Sequence, residues 1–148
     1  MPPAAASPRP RVSILVVTYQ GKEYVPDLAT SLRAQTFRDF ELVLVENASR
    51  DGTGAAWEAA WPEAKLIRSN INLGFCGGNN LGARNARGHY LVLLNQDTVV
   101  QADWLKHLVE AMGGQVFSAM PTREQGYGIA AGGTIIHELG GVKMGSDP

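Results

Sequence analysis

The acidic turn Asn95-Gln96-Asp97-Thr98 is the segment whose residue types most directly suggest chemistry. Asn95 and Asp97 stand two residues apart at the end of an apolar run, so a strand there would place both oxygen ligands on the same side. Mg²⁺ and Mn²⁺ prefer oxygen ligands, and they often take one or two carboxylates together with substrate phosphates. The turn therefore indicates a divalent-metal site. A turn-capping role for Asp97 before the next helix is an equally good interpretation.

Three earlier apolar runs are also followed by polar segments, at residues 18–21, 46–53 and 70–80. If the runs are parallel strands, these segments lie at one edge of the sheet, where open α/β sheets bind ligands. Glu46 or Asn47 could hydrogen-bond a base or a ribose, and the glycines of the third segment could let backbone N–H groups approach a diphosphate. Each segment also has a simpler interpretation, because Ser, Asp, Gly and Thr are ordinary turn and cap residues.

Strand-sized apolar runs alternate with helical patterns four times along the chain, which is typical of βαβ units. The predicted strands are residues 14–17, 40–45, 65–67 and 90–94, and the predicted helices are residues 24–35, 53–61, 79–86 and 103–112. The runs are apolar on both faces, as in a parallel sheet covered by helices. The sequence thus predicts an α/β fold with a doubly wound, mostly parallel sheet. Trp57 and Trp61 are predicted to pack against this sheet.

The composition restricts the class of protein. A chain of 148 residues suits one domain, and its net charge of −1 gives no electrostatic case for binding nucleic acid or an anionic membrane surface. Cys76 is the only cysteine, so an intramolecular disulfide is impossible and a reducing compartment is expected. No apolar run reaches the roughly 20 residues that span a bilayer. We expect a cytoplasmic protein without an integral membrane segment, free or peripheral to the inner face of the membrane, with a disordered tail at residues 1–10.

Four segments together resemble an inverting family 2 glycosyltransferase: VSILVVTYQ, SLRAQTFRDFELVLVENASRDGT, NLGFCGGNNLG and GHYLVLLNQDT. The resemblance covers residues 11–112, and the last two segments resemble the rhamnosyltransferase-like branch. It implies the nucleotide-binding half of a glycosyltransferase A-type fold, a Rossmann-like sheet with flanking helices. It also implies a nucleotide-diphospho-sugar donor, a divalent metal (Mg²⁺ or Mn²⁺) and transfer of the sugar to an acceptor hydroxyl.

The resemblance further implies roles for residues at the strand ends. Thr18 and Tyr19 would border the nucleobase, and Glu46 and Asn47 would bind the base and the ribose. Asn47 is a departure, because the family often has an acidic residue there. The candidate donor-binding residues implied in this way are Thr18, Tyr19, Glu46, Asn47, Asp51, Gly74, Asn79, Asn95 and Asp97.

The turn at Asp97 stands where the family has Asp-x-Asp, so Asp97 would be the metal ligand, while Asn95 replaces the other carboxylate. Family members continue into an acceptor-binding half that carries the general base, which an inverting displacement needs. No candidate for this base is found before Met112. We therefore expect donor binding with little or no transfer, and a saccharide or lipid-linked acceptor that the sequence does not identify.

The pattern changes after Met112, and residues 113–148 are predicted to be an unrelated, poorly packed tail. Residues 132–148 resemble the C-terminal motif of glucose-methanol-choline flavoprotein oxidoreductases, through His137, Gly140, Gly141, Met144, Gly145, Asp147 and Pro148. The flavin-binding glycine fingerprint of that family is missing from the chain. Two alternatives to a glycosyltransferase follow: a non-functional chimeric fragment, or a fragment of such a flavin-dependent oxidoreductase.

Overall fold

A computed structural model describes residues 9–112, which form a four-stranded parallel sheet with flanking helices. The strands are β1 (Val12–Thr18), β2 (Phe40–Asn47), β3 (Lys65–Ser69) and β4 (Tyr90–Asn95). The helices are α1 (Val25–Arg33), α2 (Thr53–Ala60), α3 (Gly74–Ala83) and α4 (Trp104–Glu110), and a 3-10 turn at Lys22–Tyr24 precedes α1. Residues 113–148, with the oxidoreductase-like motif, lie outside the described residues, as do residues 1–8.

The strand order β3-β2-β1-β4 confirms the predicted α/β fold. The chain moves outward from β1 through β2 to β3, then returns across the sheet to place β4 on the other side of β1. This reversal is the point at which open α/β sheets form a ligand-binding crevice, beyond the carboxyl ends of the strands. Every pair of neighbouring strands is parallel, so the carboxyl ends of all four strands lie at the same edge.

Both faces of the central strands are buried, which explains why the strand segments are apolar throughout. Leu15, Val43 and Val45 form a buried cluster against residues of α3 such as Leu81. Alternate residues of β1 point to the opposite face. Ile14 is fully buried there, and the right-handed crossovers of the first two βαβ units place α1 and α2 on that face. Within residues 9–112, no helix combines the length and apolar character needed to cross a membrane.

The predicted start of the third helix is wrong, because α3 begins at Gly74 and not at residue 79. Glycine disfavours helices by its intrinsic propensity, but packing against the sheet overrides that preference here. A Cβ atom at Gly78 would lie 2.7 Å from Val17 Cγ1, and one at Gly82 would overlap Leu15 Cδ1. The glycine-rich segment is therefore the face on which α3 approaches β1 closely, as well as a loop.

The prediction for the tryptophans of α2 is confirmed. Trp57 is 1% exposed and Trp61 is 8% exposed, so both pack inside the structure. The guanidinium of Arg33 lies 4.1 Å above the ring of Trp61, and the ring of Phe40 lies 6.2 Å from it. These contacts hold the end of α2 against the start of β2.

Candidate functional site

The carboxyl edge of the sheet brings together three of the predicted site segments. Thr18 at the end of β1 pairs with Glu46 of β2, and Val17 pairs with Asn95 at the end of β4. The loops that follow these strands are joined by hydrogen bonds between side chains and backbone groups that are distant in sequence. The edge is therefore one connected site.

Glu46 and Asn47 end β2, and both are almost fully buried. Glu46 Oε1 accepts a hydrogen bond from the backbone N–H of Ser49 at 2.6 Å. Asn47 Nδ2 donates to Asn72 Oδ1 at 2.9 Å, and Asn47 Oδ1 accepts from the N–H of Leu73 at 2.8 Å. The side chain of Asn47 thus holds the loop between β3 and α3. The sequence predicted a contact between Asn47 and the base or ribose, but not this structural role.

Asp51 organises the turn between β2 and α2. Its Oδ1 accepts from the backbone N–H of Thr53 at 3.0 Å and from the Thr53 hydroxyl at 2.5 Å, and its Oδ2 accepts from the N–H of Lys22 at 3.0 Å. The hydrogen bond from the Thr53 hydroxyl, followed by that from Lys22, holds the pKa of Asp51 below its usual value. The carboxylate therefore stays charged and ties this turn to the segment after β1.

The segment after β1 carries an exposed aromatic ring on a firmly held backbone. Tyr19 is 43% exposed at the edge of the sheet. Gln20 has a φ of 47°, its N–H donates to Ser49 Oγ at 3.1 Å, and its Oε1 accepts from the N–H of Arg50 at 3.1 Å. The N–H of Gly21 donates to the hydroxyl of Thr53 at 3.0 Å. This bonding fixes a left-handed residue in place and presents the ring of Tyr19 to solvent.

The turn after β4 leaves its carboxylate open to solvent. The hydroxyl of Thr98 donates to the carbonyl oxygen of Asn95 at 2.7 Å and closes the turn, while Asp97 is exposed. The pKa of Tyr24 is raised, chiefly by a hydrogen bond to Glu23 and least by the charge of Asp97. The turn faces the same space as the loops after β1.

The residues of this turn are compatible with a divalent metal only if substrate or water supplies some of the ligands. Among residues 9–112, no three His, Cys, Asp or Glu side chains lie close enough together to form a protein-only metal site. Mg²⁺ and Mn²⁺ also bind through one or two carboxylates plus substrate phosphates and water. The exposed carboxylate of Asp97 is compatible with that second kind of site.

The start of α3 completes the edge. Gly74 has a φ of 69°, a conformation that favours glycine, and no atom lies within 4 Å of the position that a Cβ would occupy. Its N–H donates to Asn72 Oδ1 at 2.8 Å. Asn79 Nδ2 donates to the carbonyl oxygen of Phe75 at 2.9 Å, one turn earlier in the same helix. Gly74 thus borders open space at the helix start, whereas the amide nitrogen of Asn79 bonds within the helix.

Sequence reasoning missed Gln96, which joins the turn after β4 to the segment after β1. Its Oε1 accepts from the backbone N–H of Tyr19 at 3.0 Å, and its Nε2 donates to the carbonyl oxygen of Tyr19 at 3.0 Å. Only the position of Gln96 between the two predicted ligands could have pointed to it. Its partner is separated from it by 77 residues, so the sequence holds no local signal for the contact.

A groove also lies at the opposite edge of the sheet, at the amino ends of β2 and β3. It measures about 650 Å³ and is lined by charged and aromatic residues such as Arg33, Glu41, Trp61 and Arg87. Arg33 pairs with Glu63 at 2.9 Å, and Arg87 pairs with Glu41 at 3.0 Å across it. None of the predicted donor-binding residues lines this groove.

Comparison with known proteins identifies the family of this chain. The family described as Glycosyl transferase family 2 matches residues 13–128, which is more than half of the chain. The chain belongs to this family. The matched range continues past Met112, so the boundary between two unrelated segments at that residue stays a prediction, as do the rhamnosyltransferase-like branch and the oxidoreductase-like motif.

Two curated relatives illustrate the likeness. The succinoglycan biosynthesis protein ExoO of Rhizobium meliloti is 32% identical over 120 residues, which cover 78% of this chain and 34% of ExoO. An uncharacterized glycosyltransferase of Haemophilus influenzae is 34% identical over 86 residues, which cover 58% of this chain and 29% of that protein. The chain spans about a third of the length of the curated relatives it matches.

Two solved structures share the fold. S. aureus TarS in complex with UDP superposes with a TM-score of 0.63 at 26% identity, over 70% of this chain and 32% of that one. The mannosyltransferase PcManGT from Pyrobaculum calidifontis, in complex with GDP-Man and Mn²⁺, superposes with a TM-score of 0.57 at 27% identity, over 63% of this chain and 29% of that one. The predicted glycosyltransferase A-type fold is thereby confirmed.

Proposed function

We propose that this chain is the donor-binding part of a glycosyltransferase that moves a sugar from a nucleotide-diphospho-sugar to an acceptor hydroxyl. The observation that carries the proposal is the convergence of the β1, β2 and β4 ends, with Thr18, Glu46 and Asn95 brought to one edge. The edge belongs to a fold whose solved members include complexes with UDP and with GDP-Man. Ligands bind at this edge in open α/β sheets generally.

The nucleoside would bind between the ends of β1 and β2. The exposed ring of Tyr19 offers a flat surface beside the base, and the nearly buried carboxylate of Glu46 offers an acceptor for base or ribose groups. Asn47 keeps a share of its acceptor capacity, although its amide already bonds to the loop before α3. The diphosphate would lie near Gly74 and Asn79, because backbone N–H groups in the first turn of a helix favour phosphate. The N–H of Gly74 itself already donates to Asn72 Oδ1, so the donors would be those of the residues that follow it in α3.

Asp97, with Asn95, would hold the divalent metal, Mg²⁺ or Mn²⁺. The exposure of the Asp97 carboxylate supports this role, as does the Mn²⁺ in the structure of PcManGT. When bound, the metal neutralises the negative charge on the departing diphosphate. Asp51 contributes by a different route, because its bonds to Thr53 and Lys22 keep the segment after β1 in position.

Transfer also requires a base that takes the proton of the acceptor hydroxyl. Within residues 9–112, Glu46, Asp51 and Asp97 already have proposed roles in binding the donor, in holding the loops and in binding the metal, so none of the three is assigned as this base. We therefore propose that this chain binds the donor and transfers its sugar weakly or not at all. The narrower proposal of a rhamnosyltransferase-like enzyme makes a dTDP-linked sugar the donor to test first.

Calorimetric titration tests the proposal. UDP, dTDP and GDP are each titrated into the purified chain, with and without Mn²⁺, after circular dichroism has shown that the sample is folded. We expect one nucleotide to bind measurably, and at least about tenfold more tightly with Mn²⁺, because the metal adds a charge-assisted contact to the diphosphate. No heat with any of the three nucleotides from a folded sample would count against the proposal.

A further inference from the structure

Gln96 makes two hydrogen bonds to the backbone of one residue, and we call this pair of bonds the Gln96 bridge. Its Oε1 accepts from the N–H of Tyr19, and its Nε2 donates to the carbonyl oxygen of Tyr19, both at 3.0 Å. The side-chain amide thereby imitates the backbone of a neighbouring strand. It continues the pairing of β1 with β4 beyond their last paired residues, Val17 and Asn95.

Gly21 provides the space that the bridge occupies. A Cβ atom at Gly21 would overlap Gln96 Oε1 and lie 2.6 Å from Gln96 Cδ. The φ of Gly21 is −129°, which any residue adopts without strain. The backbone conformation therefore does not require a glycine at this position. A glycine is needed because any Cβ atom would occupy the place of the Gln96 amide.

The bridge joins the proposed metal-binding turn to the rest of the donor edge. Asp97 and Asn95 flank Gln96 directly in the chain. On the other side, the segment after β1 is bonded through Gln20 to Ser49 and through Gly21 to Thr53. Without the bridge, the Asp97 turn is joined to β1 only through the pairing of Asn95 with Val17, and the described hydrogen bond from Thr98 to Asn95 lies within the turn. A binding group must be held to within about 0.5 Å by its support to act well.

We propose that Gln96 is a positioning residue, which holds the Asp97 turn at a fixed position relative to Tyr19. Gly21 leaves the space that the Gln96 amide occupies. The inference rests on the proposed function, since it concerns the binding of a nucleoside diphosphate and metal at this edge. It assigns Gln96 no contact with either ligand. Gln96 acts by fixing the distance between the metal ligand and the surface for the base.

Four variants of the full chain test the proposal. Gln96→Ala removes the bridge, and Gly21→Ala displaces the amide of Gln96 by filling its space. The double variant Gly21→Ala/Gln96→Ala leaves the new methyl group free of the amide. Gln101→Ala is the matched control, because the described bonds of this exposed residue in the next loop involve only its carbonyl oxygen.

The first readout is amide hydrogen exchange at Tyr19, measured by NMR without ligand. We expect exchange to be about tenfold faster in Gln96→Ala and in Gly21→Ala, which corresponds to losing about one net hydrogen bond. Gln101→Ala should exchange like the unmodified chain. Unchanged exchange at Tyr19 in Gln96→Ala would overturn the bridge itself, whether or not the protein binds nucleotides.

The second readout is the Mn²⁺ concentration that gives half-maximal binding of UDP, or of whichever nucleoside diphosphate the unmodified chain binds. It should rise about tenfold in each single variant while the melting temperature stays within a few degrees. The double variant should be no worse than Gln96→Ala, because both substitutions act through the same contact. Additive effects would overturn the role of Gly21, and an unchanged Mn²⁺ requirement in Gln96→Ala would overturn the positioning role.

The two readouts separate this inference from the proposed function. If the unmodified chain binds no nucleoside diphosphate, the proposed function fails and the positioning role fails with it, but the exchange data still decide whether the bridge exists. If the unmodified chain binds and Gln96→Ala binds with the same Mn²⁺ requirement, the proposed function stands and only the inference is contradicted.

Discussion

Asp97 and Asn47, at the scale of single residues, differ in how their side chains lie at the carboxyl edge of the sheet. Asp97 is exposed and faces solvent, as a group that meets a ligand must. Asn47 is 2% exposed and uses its amide to hold the loop before α3. An amide suits this role, because Asn47 Nδ2 donates to the carbonyl oxygen of Gly74 at 3.3 Å while Asn47 Oδ1 accepts from the N–H of Leu73.

Replacing Asp97 should remove the effect of the metal. Asp97→Asn keeps the size of the side chain but loses the charge that attracts a cation. We expect the affinity for the nucleoside diphosphate with Mn²⁺ to fall to the value measured without it, as observed by calorimetry. Asp39→Asn, an exposed residue at the opposite edge, serves as the control. A metal dependence that survives in Asp97→Asn would place the metal elsewhere.

Replacing Asn47 should weaken the fold more than a surface substitution does. Asn47→Ala leaves the N–H of Leu73 without its acceptor and removes one of the two hydrogen bonds that Asn72 Oδ1 accepts. The free energy of unfolding, measured with urea, should fall by about 1–3 kcal/mol. Asn47→Asp should also destabilise, because a carboxylate would face the carbonyl oxygen of Gly74. A stability equal to that of the unmodified chain in both variants would contradict this role.

At the scale of elements, Glu41 joins β2 to β1 and to the loop before β4. Its Oε1 accepts from Ser13 Oγ at 2.7 Å and from the N–H of Arg87 at 2.6 Å, and its Oε2 accepts from Arg87 Nε at 3.0 Å. Burial raises the pKa of Glu41, but the hydrogen bonds from Ser13 and Arg87 and the charge of Arg87 outweigh it and lower the pKa overall. The carboxylate therefore stabilises the fold only while it is ionised.

The stability that Glu41 contributes should depend on pH in a defined direction. A lowered pKa in the folded state stabilises above the unfolded-state value, near 4.5, and the contribution is lost as the pH falls through the folded-state pKa. Glu41→Gln should lower the unfolding free energy by about 1–3 kcal/mol at pH 7. The difference from the unmodified chain should shrink progressively below about pH 4.5.

Urea unfolding at several pH values measures this effect. Glu63→Gln, which breaks an exposed pair with Arg33, should change stability little at any pH, because solvent screens such pairs. A pH-independent difference between Glu41→Gln and the unmodified chain would contradict the assignment.

The strands and the α/β order could be predicted from the sequence. Segments such as residues 14–17 and 40–45 are apolar on both faces, and this pattern is typical of strands buried in a parallel sheet. The start of α3 could not, because the reason for Gly78 and Gly82 lies in Val17 and Leu15, more than 60 residues earlier. The hydrogen bonds between loops could not be predicted either. The Gln96 bridge, for example, joins residues that are 77 positions apart, so no local sequence pattern indicates it. Residue types at strand ends thus predict where a site lies. Which residues form the site depends on contacts between residues that are far apart in sequence.

At the scale of the whole molecule, β4 leaves an apolar surface exposed within residues 9–112. Leu91 is 43% exposed and Leu93 is 52% exposed. In the described part of the chain, β4 is hydrogen-bonded to β1 alone and stands at one end of the sheet. An edge strand with exposed apolar side chains favours association between chains.

We expect the purified chain to associate with itself as its concentration rises. Leu91→Lys/Leu93→Lys should restore a monomer of 15.9 kDa in analytical ultracentrifugation, because charges at an edge oppose strand pairing. Val99→Lys, at an exposed apolar residue outside β4, should leave the association unchanged. A monomeric unmodified chain at all concentrations would show that this surface does not drive association.

The central claim is that the carboxyl edge of the sheet binds a nucleoside diphosphate with a metal at Asp97. The most direct measurement is a crystal structure of the chain grown with UDP or dTDP and Mn²⁺, in which the anomalous signal locates the metal. We expect Mn²⁺ bound to the carboxylate of Asp97 and to diphosphate oxygens, with the base beside Tyr19 and Glu46. A nucleotide seated in the groove at the amino edge, or Mn²⁺ bound away from Asp97, would contradict it.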